Sequence, residues 1–125
     1  MQMMSSDPWL GKRIRLTARL KSENARQVQL WLRVDGDTVN GTVGHRLLAF
    51  YNMADKPISG TTGWRRYEIV LDVSDQSWRI AYGFFLGGGA GKAWADGFTI
   101  ETVGADVPVS RMPASWYRVR SLAVP

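Results

Sequence analysis

The sequence predicts an all-β protein whose antiparallel strands form a sandwich or a barrel. Six or seven segments alternate apolar and polar side chains with a period of two, and turns that contain glycine or proline join them. No stretch shows a sustained helical period. The chain has 125 residues, the size of one ordinary domain, so we expect residues 1–125 to form a single unit.

The strands are expected to follow one another at short intervals along the chain. They are predicted over residues 14–21, 28–34, 47–52, 64–73, 78–86, 93–103 and 116–124. A short helical turn at residues 8–10 would precede the first strand. The polar and glycine-bearing residues 36–45 and 53–63 are predicted to be connections, and residues 104–113 to be a proline-containing linker.

Alternation within the second strand predicts which side chains face the core. Leu30, Leu32 and Val34 share one face, so we expect them inside the protein. Trp31 then projects from the opposite face. Gly83 lies on the less apolar face of its own strand, where the missing side chain leaves room for a neighbour or a ligand.

Aromatic side chains outside the core phase suggest a binding surface. Tyr51 is out of phase with Phe50, so it is predicted to face outwards like Trp31. Two such rings could stack on a sugar, while Arg33 and Asn52 could hydrogen-bond its hydroxyl groups. We therefore expect a non-catalytic module that binds a saccharide or a similar polar small ligand, unless a loop covers these rings.

Composition argues against an enzyme. The chain has no cysteine and one histidine, which excludes disulfides, thiolate catalysis and a multi-histidine metal site. His45 lies in a predicted loop and is interpreted as solvated rather than catalytic. The glycine run at 87–91 lacks the Lys-Ser/Thr pair of a phosphate-binding loop, so we interpret it as a flexible hairpin loop. We predict no catalytic residue, no metal and no cofactor.

Positive charge gathers on one predicted strand face. The chain carries 16 Lys and Arg against 11 Asp and Glu, a net charge of +5. Arg13, Arg15, Arg19 and Lys21 share one face of the first predicted strand and could bind an anion or a nucleic acid. Because no nucleic-acid-binding motif accompanies them, we interpret this face as solvated and do not expect nucleic acid as a partner.

A series of short runs resembles one known type of domain. The runs are GKRIR at 11–15, LWLRVD at 30–35, NM at 52–53, DKPISGTT at 55–62, Trp64, YEIVLDV at 67–73, Gly83, Leu86 and WAD at 94–96. Over about residues 10–103 the chain resembles a bacterial galactose-binding-like jelly-roll domain, similar to carbohydrate-binding modules and largely of unknown function. The resemblance implies an antiparallel two-sheet jelly-roll β-sandwich and a non-catalytic role, without naming a ligand.

The chain also departs from that family. Tyr51, Gly63 and Gly97 stand where the family usually carries acidic residues, which removes the carboxylates of any family polar or metal site. The family also tends to begin with further strands, whose absence would leave an open sheet edge. We predict that residues 115–122 supply an extra strand there, in the same chain or in a homodimer. A structural or protein-interaction domain without a small ligand is therefore the first alternative function. Anion or nucleic-acid binding through the basic strand face is the second.

The amino terminus predicts the location of the protein. Residues 1–8 contain neither a basic segment nor an apolar one, so no signal peptide is predicted. No apolar run approaches the roughly 20 residues that a membrane helix needs. We expect a cytoplasmic protein that does not contact a membrane.

Overall fold

A computed structural model describes residues 1–39 and 42–113, without the side chains of residues 37–39 and 42–45. The described part of the chain contains six strands and one 3₁₀ turn. The strands are β1 (Gln2–Ser5), β2 (Arg13–Val39), β3 (Thr42–Tyr51), β4 (Ile58–Asp72), β5 (Ser77–Gly87) and β6 (Lys92–Val103), and the 3₁₀ turn spans Asp7–Trp9. These elements confirm the all-β fold class.

The strands form one antiparallel sheet around β2. The first half of β2 pairs with β4 on one side and with β6 on the other. The second half pairs with β5 on one side and with β3 on the other. β1 adds to the free side of β5. The long strand β2 is therefore shared by two parts of the sheet, and its middle joins them.

The middle of β2 is irregular. Its pairing with β4 shifts register three times between Leu20 and Val28, and Asn24 adopts a positive φ of 49°. The two strands predicted over 14–21 and 28–34 are therefore parts of one strand, which contains bulges where the prediction separated them. Bulges let a strand bend sharply while its pairing continues on both sides.

Two rows of side chains from β2 build the core. Both rows are completely buried, and they belong to one apolar cluster. They comprise Ile14, Leu16, Ala18 and Leu20 from the first half and Val28, Leu30, Leu32 and Val34 from the second. The predicted inward phase of Leu30, Leu32 and Val34 is thus confirmed. Burial of these rows stabilises the fold, by roughly 25 cal/mol per Å² of apolar surface removed from water.

Residues 104–113 cross one end of the sheet and then follow the edge of β4. The Arg13 guanidinium donates hydrogen bonds to the carbonyls of Ala105 and Val107, at 2.9 and 2.6 Å. Further along, the Ser110 amide donates to the Val70 carbonyl at 2.8 Å. This segment has no strand assignment, as predicted for a linker, but these bonds attach it firmly to the sheet.

Several element boundaries differ from prediction. β2 continues to Val39 and β3 begins at Thr42, where a loop was predicted over 36–45, because pairing between β2 and β3 persists as far as Thr42. β4 begins at Ile58, inside the predicted connection 53–63. β1 was not predicted at all. The predicted C-terminal strand at 116–124, and with it the extra strand at 115–122, lies outside the described residues.

No helix in the described ranges is long and apolar enough to cross a membrane.

Candidate functional site

The residues predicted to bind a saccharide do not lie on one surface. Trp31 faces outwards from β2, as expected, and is half-buried. Its indole lies over Gly83 of β5, where an added Cβ would be only 3.1 Å from Cζ2 of the indole. Gly83 therefore makes room for Trp31, one of the two occupants that the sequence allowed.

Arg33 belongs to an ion-pair cluster around a buried carboxylate. Its Nε lies 3.2 Å from the carboxylate of Asp35, and Nε of Arg79 lies 3.0 Å from the same carboxylate. The Asp35 side chain is only 3% exposed. Both guanidinium groups thus neutralise one buried carboxylate, which leaves Arg33 less available to a ligand than an unpaired arginine would be.

Tyr51 lies in the core, contrary to its predicted outward direction. It pairs with Leu32 and is 3% exposed, whereas Phe50 is opposite Arg33 and 44% exposed. A register shift next to Val34 reverses the phase of β3 relative to a regular strand.

Asn52 forms hydrogen bonds within the turn after β3 and to the neighbouring strand β2. Its backbone carbonyl accepts a hydrogen bond from the side-chain amide of Gln29 at 2.6 Å, and its side-chain oxygen accepts one from the backbone amide of Ala54 at 3.1 Å. Trp31 and Arg33 share the outer surface of β2, Tyr51 is on the opposite surface, and Asn52 holds a turn. The four residues therefore do not form one binding face.

The four predicted anion-binding residues do share one surface. We call the side of β2 residues 13–21 that points away from the core the outer face. Three of the four residues are paired with carboxylates on neighbouring strands: Arg13 with Asp72 at 2.7 Å, Arg15 with Glu101 at 2.8 Å and Arg19 with Asp96 at 2.8 Å. The positive stripe seen in the sequence is thus largely neutralised in the fold.

Two tryptophans flank the outer face, and the sequence analysis did not assign them to a binding site. Trp64 is 48% exposed, and the Arg19 guanidinium lies 6.0 Å from its ring centre. Trp94 is 38% exposed, and Lys21 Nζ lies 5.2 Å from its ring centre. Cation–π contacts of this kind place the charges against the rings. The sequence alternation already indicated their outward direction. Trp64 is in phase with Arg66, and Trp94 is in phase with Asp96.

A cavity of about 520 Å³ opens at the edge of β4, between the turn after β3 and the segment 109–111. Three of its lining side chains are cationic and one is anionic. The lining residues are Tyr51, Met53, Lys56, Arg66, Tyr67, Glu68, Val109, Ser110 and Arg111. Sequence reasoning missed this site because its residues come from three separate segments that only the tertiary structure brings together.

The Tyr51 phenol closes the inner side of the cavity as a neutral group. Its hydroxyl donates a 2.6 Å hydrogen bond to Oδ1 of Asp55. Burial raises the pKa of Tyr51 well above its usual range, and the hydrogen bond to Asp55 raises it further. The phenol therefore stays protonated at any physiological pH and adds no charge to the cavity.

No group of three or more His, Cys, Asp or Glu side chains that could hold a metal ion occurs among the described residues. The buried Asp35 carboxylate is held by Arg33 and Arg79.

Comparison with known proteins gives one informative match. The chain is 38% identical over 113 residues to the uncharacterized HTH-type transcriptional regulator YbfP of Bacillus subtilis (strain 168). The match covers 90% of this chain but only 36% of that protein, so the chain spans about a third of the relative's length. No protein-family model matches the chain. No solved structure matches it either.

This match corrects three predictions. The resemblance to carbohydrate-binding modules and the proposed saccharide-binding function are wrong, because the similar protein is named a transcriptional regulator. The dispersed positions of the four saccharide-site residues agree with that correction. The expectation that nucleic acid is not a partner is wrong for the same reason. The prediction that the chain is not an enzyme is confirmed, because the relative is named a regulator.

Proposed function

We propose that this chain is the β-domain of a DNA-binding transcriptional regulator, and that a helix-turn-helix unit outside residues 1–125 reads the DNA. The observation that carries the proposal is the 38% identity over 113 residues to a protein named an HTH-type transcriptional regulator. An identity at this level over most of the chain supports a shared role for the matched region. The role of the whole regulator is part of the proposal, because the match covers 36% of the relative.

The secondary structure supports a separate DNA-reading unit. A helix-turn-helix needs two helices and a short turn, roughly 18 residues if each helix has only two turns. The described residues are strands, connections and one 3₁₀ turn. The two stretches outside the description, 40–41 and 114–125, are each shorter than this. The strands of the described residues therefore support a helix-turn-helix that lies elsewhere in the regulator.

The outer face also supports a β-domain that does not itself read DNA. Affinity for DNA comes largely from lysines and arginines that neutralise phosphates. Arg13, Arg15 and Arg19 already have carboxylate partners within 2.8 Å, so a DNA strand would have to displace them. A β-domain with such a surface suits the control of a regulator, through a ligand or a partner, better than the reading of DNA.

The finer fold and the location form part of the proposal. We propose that the bend of β2 folds the two parts of the sheet over one another, as in the predicted two-sheet jelly-roll sandwich. Support comes from the two buried rows of β2, which belong to one apolar cluster. A regulator that acts on DNA would work in the cytoplasm of a bacterium, which agrees with the predicted location.

Crosslinking to chromosomal DNA tests the regulator proposal. The chromosomal copy of the protein is tagged, crosslinked and immunoprecipitated, and the recovered DNA is sequenced. We expect discrete enriched loci, and changed transcription of the neighbouring genes when the protein is deleted. Even genomic coverage together with unchanged transcription would overturn the proposal.

The purified 125-residue chain tests the division of labour. Titrated against labelled duplexes from the enriched loci, it should bind only weakly and without sequence preference, with a Kd of about 10⁻⁶ M or weaker at physiological salt. Tight binding to one locus that exceeds binding to scrambled duplexes would show that the β-domain itself reads DNA.

A further inference from the structure

Two cations at the β4 cavity form no ion pair with a described carboxylate. Lys56 and Arg111 both line the cavity, and neither forms an ion pair with a described residue. On the outer face, by contrast, three arginines are paired. The sequence of residues 114–125 contains no Asp or Glu, so its side chains offer no carboxylate to the cavity either.

The remaining charges leave the cavity positive. Among the described residues that line the cavity, Arg66 is the third cation and Glu68 is the one acidic residue. Glu68 is already shared, since its carboxylate lies 3.6 Å from Arg66 and 3.9 Å from Arg15. Lys56 and Arg111 therefore face the cavity with most of their charge uncompensated.

The rest of the lining is suited to an apolar group. Tyr51 and Met53 form a buried inner wall, 3% and 4% exposed, and Tyr67 and Val109 flank it. A volume of about 520 Å³ falls within the range of small-molecule sites, roughly 300–1,000 Å³. Such sites typically combine apolar walls with a few polar groups that orient the ligand.

We propose that this cavity binds a small organic anion, with Arg111 and Lys56 on its carboxylate or phosphate and its apolar part against Tyr67 and Met53. The Arg111 guanidinium suits this role because its planar donors match the two oxygens of such a group. Binding itself does not depend on the proposed function. Only the regulatory consequence, that this anion is the signal to which the regulator responds, rests on it.

Calorimetry with four probes tests the ligand chemistry. The purified chain is titrated at low salt with phenyl phosphate, benzoate, inorganic phosphate and phenol. Phenyl phosphate and benzoate carry both the ring and the charge, and the difference between them distinguishes a phosphate from a carboxylate ligand. We expect at least one of the two to bind about ten- to a hundredfold more tightly than phenol, which lacks the charge. Inorganic phosphate, which lacks the ring, should bind more weakly than phenyl phosphate.

Charge-removing variants test the site. Arg111→Gln and Lys56→Gln should each weaken binding of the preferred probe by about ten- to a hundredfold, because each removes a charge-assisted hydrogen bond. Arg26→Gln is the matched control, since Arg26 is exposed, has no ion pair with a described residue and does not line the cavity. It should bind like the native protein. Thermal unfolding of all three variants checks that they remain folded.

Four results would overturn the inference. They are phenol binding as tightly as both charged probes, equal weakening by the Arg26 control, no binding of any probe at millimolar concentration, and displacement of the bound probe by a short DNA duplex. The last result would assign the two cations to a DNA backbone instead. Failure of the chromosomal crosslinking test would leave these binding results unchanged, so the two proposals fail separately.

Discussion

Replacing Gly91 by alanine is expected to destabilise the fold much more than replacing Gly89, although both glycines lie in the loop between β5 and β6. Their φ angles are similar, +101° and +92°, so both substitutions put an L-residue into an unfavourable backbone region. Their surroundings differ. A Cβ at Gly91 would lie 2.5 Å from the carbonyl oxygen of Asn24 and 2.7 Å from Cα of Ala25, whereas a Cβ at Gly89 would meet nothing within 4 Å.

The size of the difference follows from these distances. The positive φ costs about 1–2 kcal/mol in either variant, so this contribution cancels in the comparison. At Gly91 the clash is with backbone at the bend of β2, which cannot rotate away as a side chain could. Overpacking of this kind costs about 1–3 kcal/mol. The free energy of unfolding of Gly91→Ala should therefore be about 1–3 kcal/mol lower than that of Gly89→Ala. This difference is a large share of a total stability of about 5–15 kcal/mol.

Urea unfolding followed by tryptophan fluorescence measures both variants. The six tryptophans give a strong signal, and an unchanged slope with denaturant would show that the denatured states are comparable. If both variants lose the same stability, the loop does not pack against β2 as described. If Gly91→Ala is as stable as the native protein, the close approach at the bend is also refuted.

Two further predictions concern buried polar groups. Asp35→Asn should lower the free energy of unfolding by up to about 3 kcal/mol, because it leaves the largely buried Arg79 without its carboxylate. Loss of the exposed Asp96 should cost less than about 1 kcal/mol. Equal losses of the two variants in urea unfolding would contradict this prediction. The raised pKa of Tyr51 means that the unfolded chain loses this proton first, so stability should fall as pH rises above about 10. Tyr51→Phe should show a shallower fall across the same alkaline range, and an identical slope would refute the assignment.

The sequence predicted the core better than the pairing. A period of two identified the buried rows of β2, since alternation depends only on local geometry. It failed for Tyr51, because a bulge opposite Val34 shifts the phase of β3, and bulges leave no reliable mark in a single sequence. It also divided β2 into two strands, because the alternation of apolar and polar residues lapses between Lys21 and Val28.

The candidate site was harder to predict than the fold for a similar reason. Lys56 lies in a turn, Arg66 in a strand and Arg111 in the segment after β6, so no spacing along the chain connects them. The stripe of Arg13, Arg15 and Arg19 was easy to see because it lies on one strand. Its carboxylate partners lie on two other strands, which made the stripe look more charged than it is.

Net charge therefore says little about this protein until each cation is assigned a partner. A positive surface attracts phosphates in proportion to the counterions that its free cations can replace. On the outer face Lys21 lies against Trp94, and its three arginine neighbours are paired, so this surface should show only a shallow dependence of DNA binding on salt. At the cavity Lys56 and Arg111 form no ion pair with a described residue, and they stand beside an apolar wall. The cavity at the edge of β4 is thus better suited to bind a small anion than the outer face is to bind a polyanion.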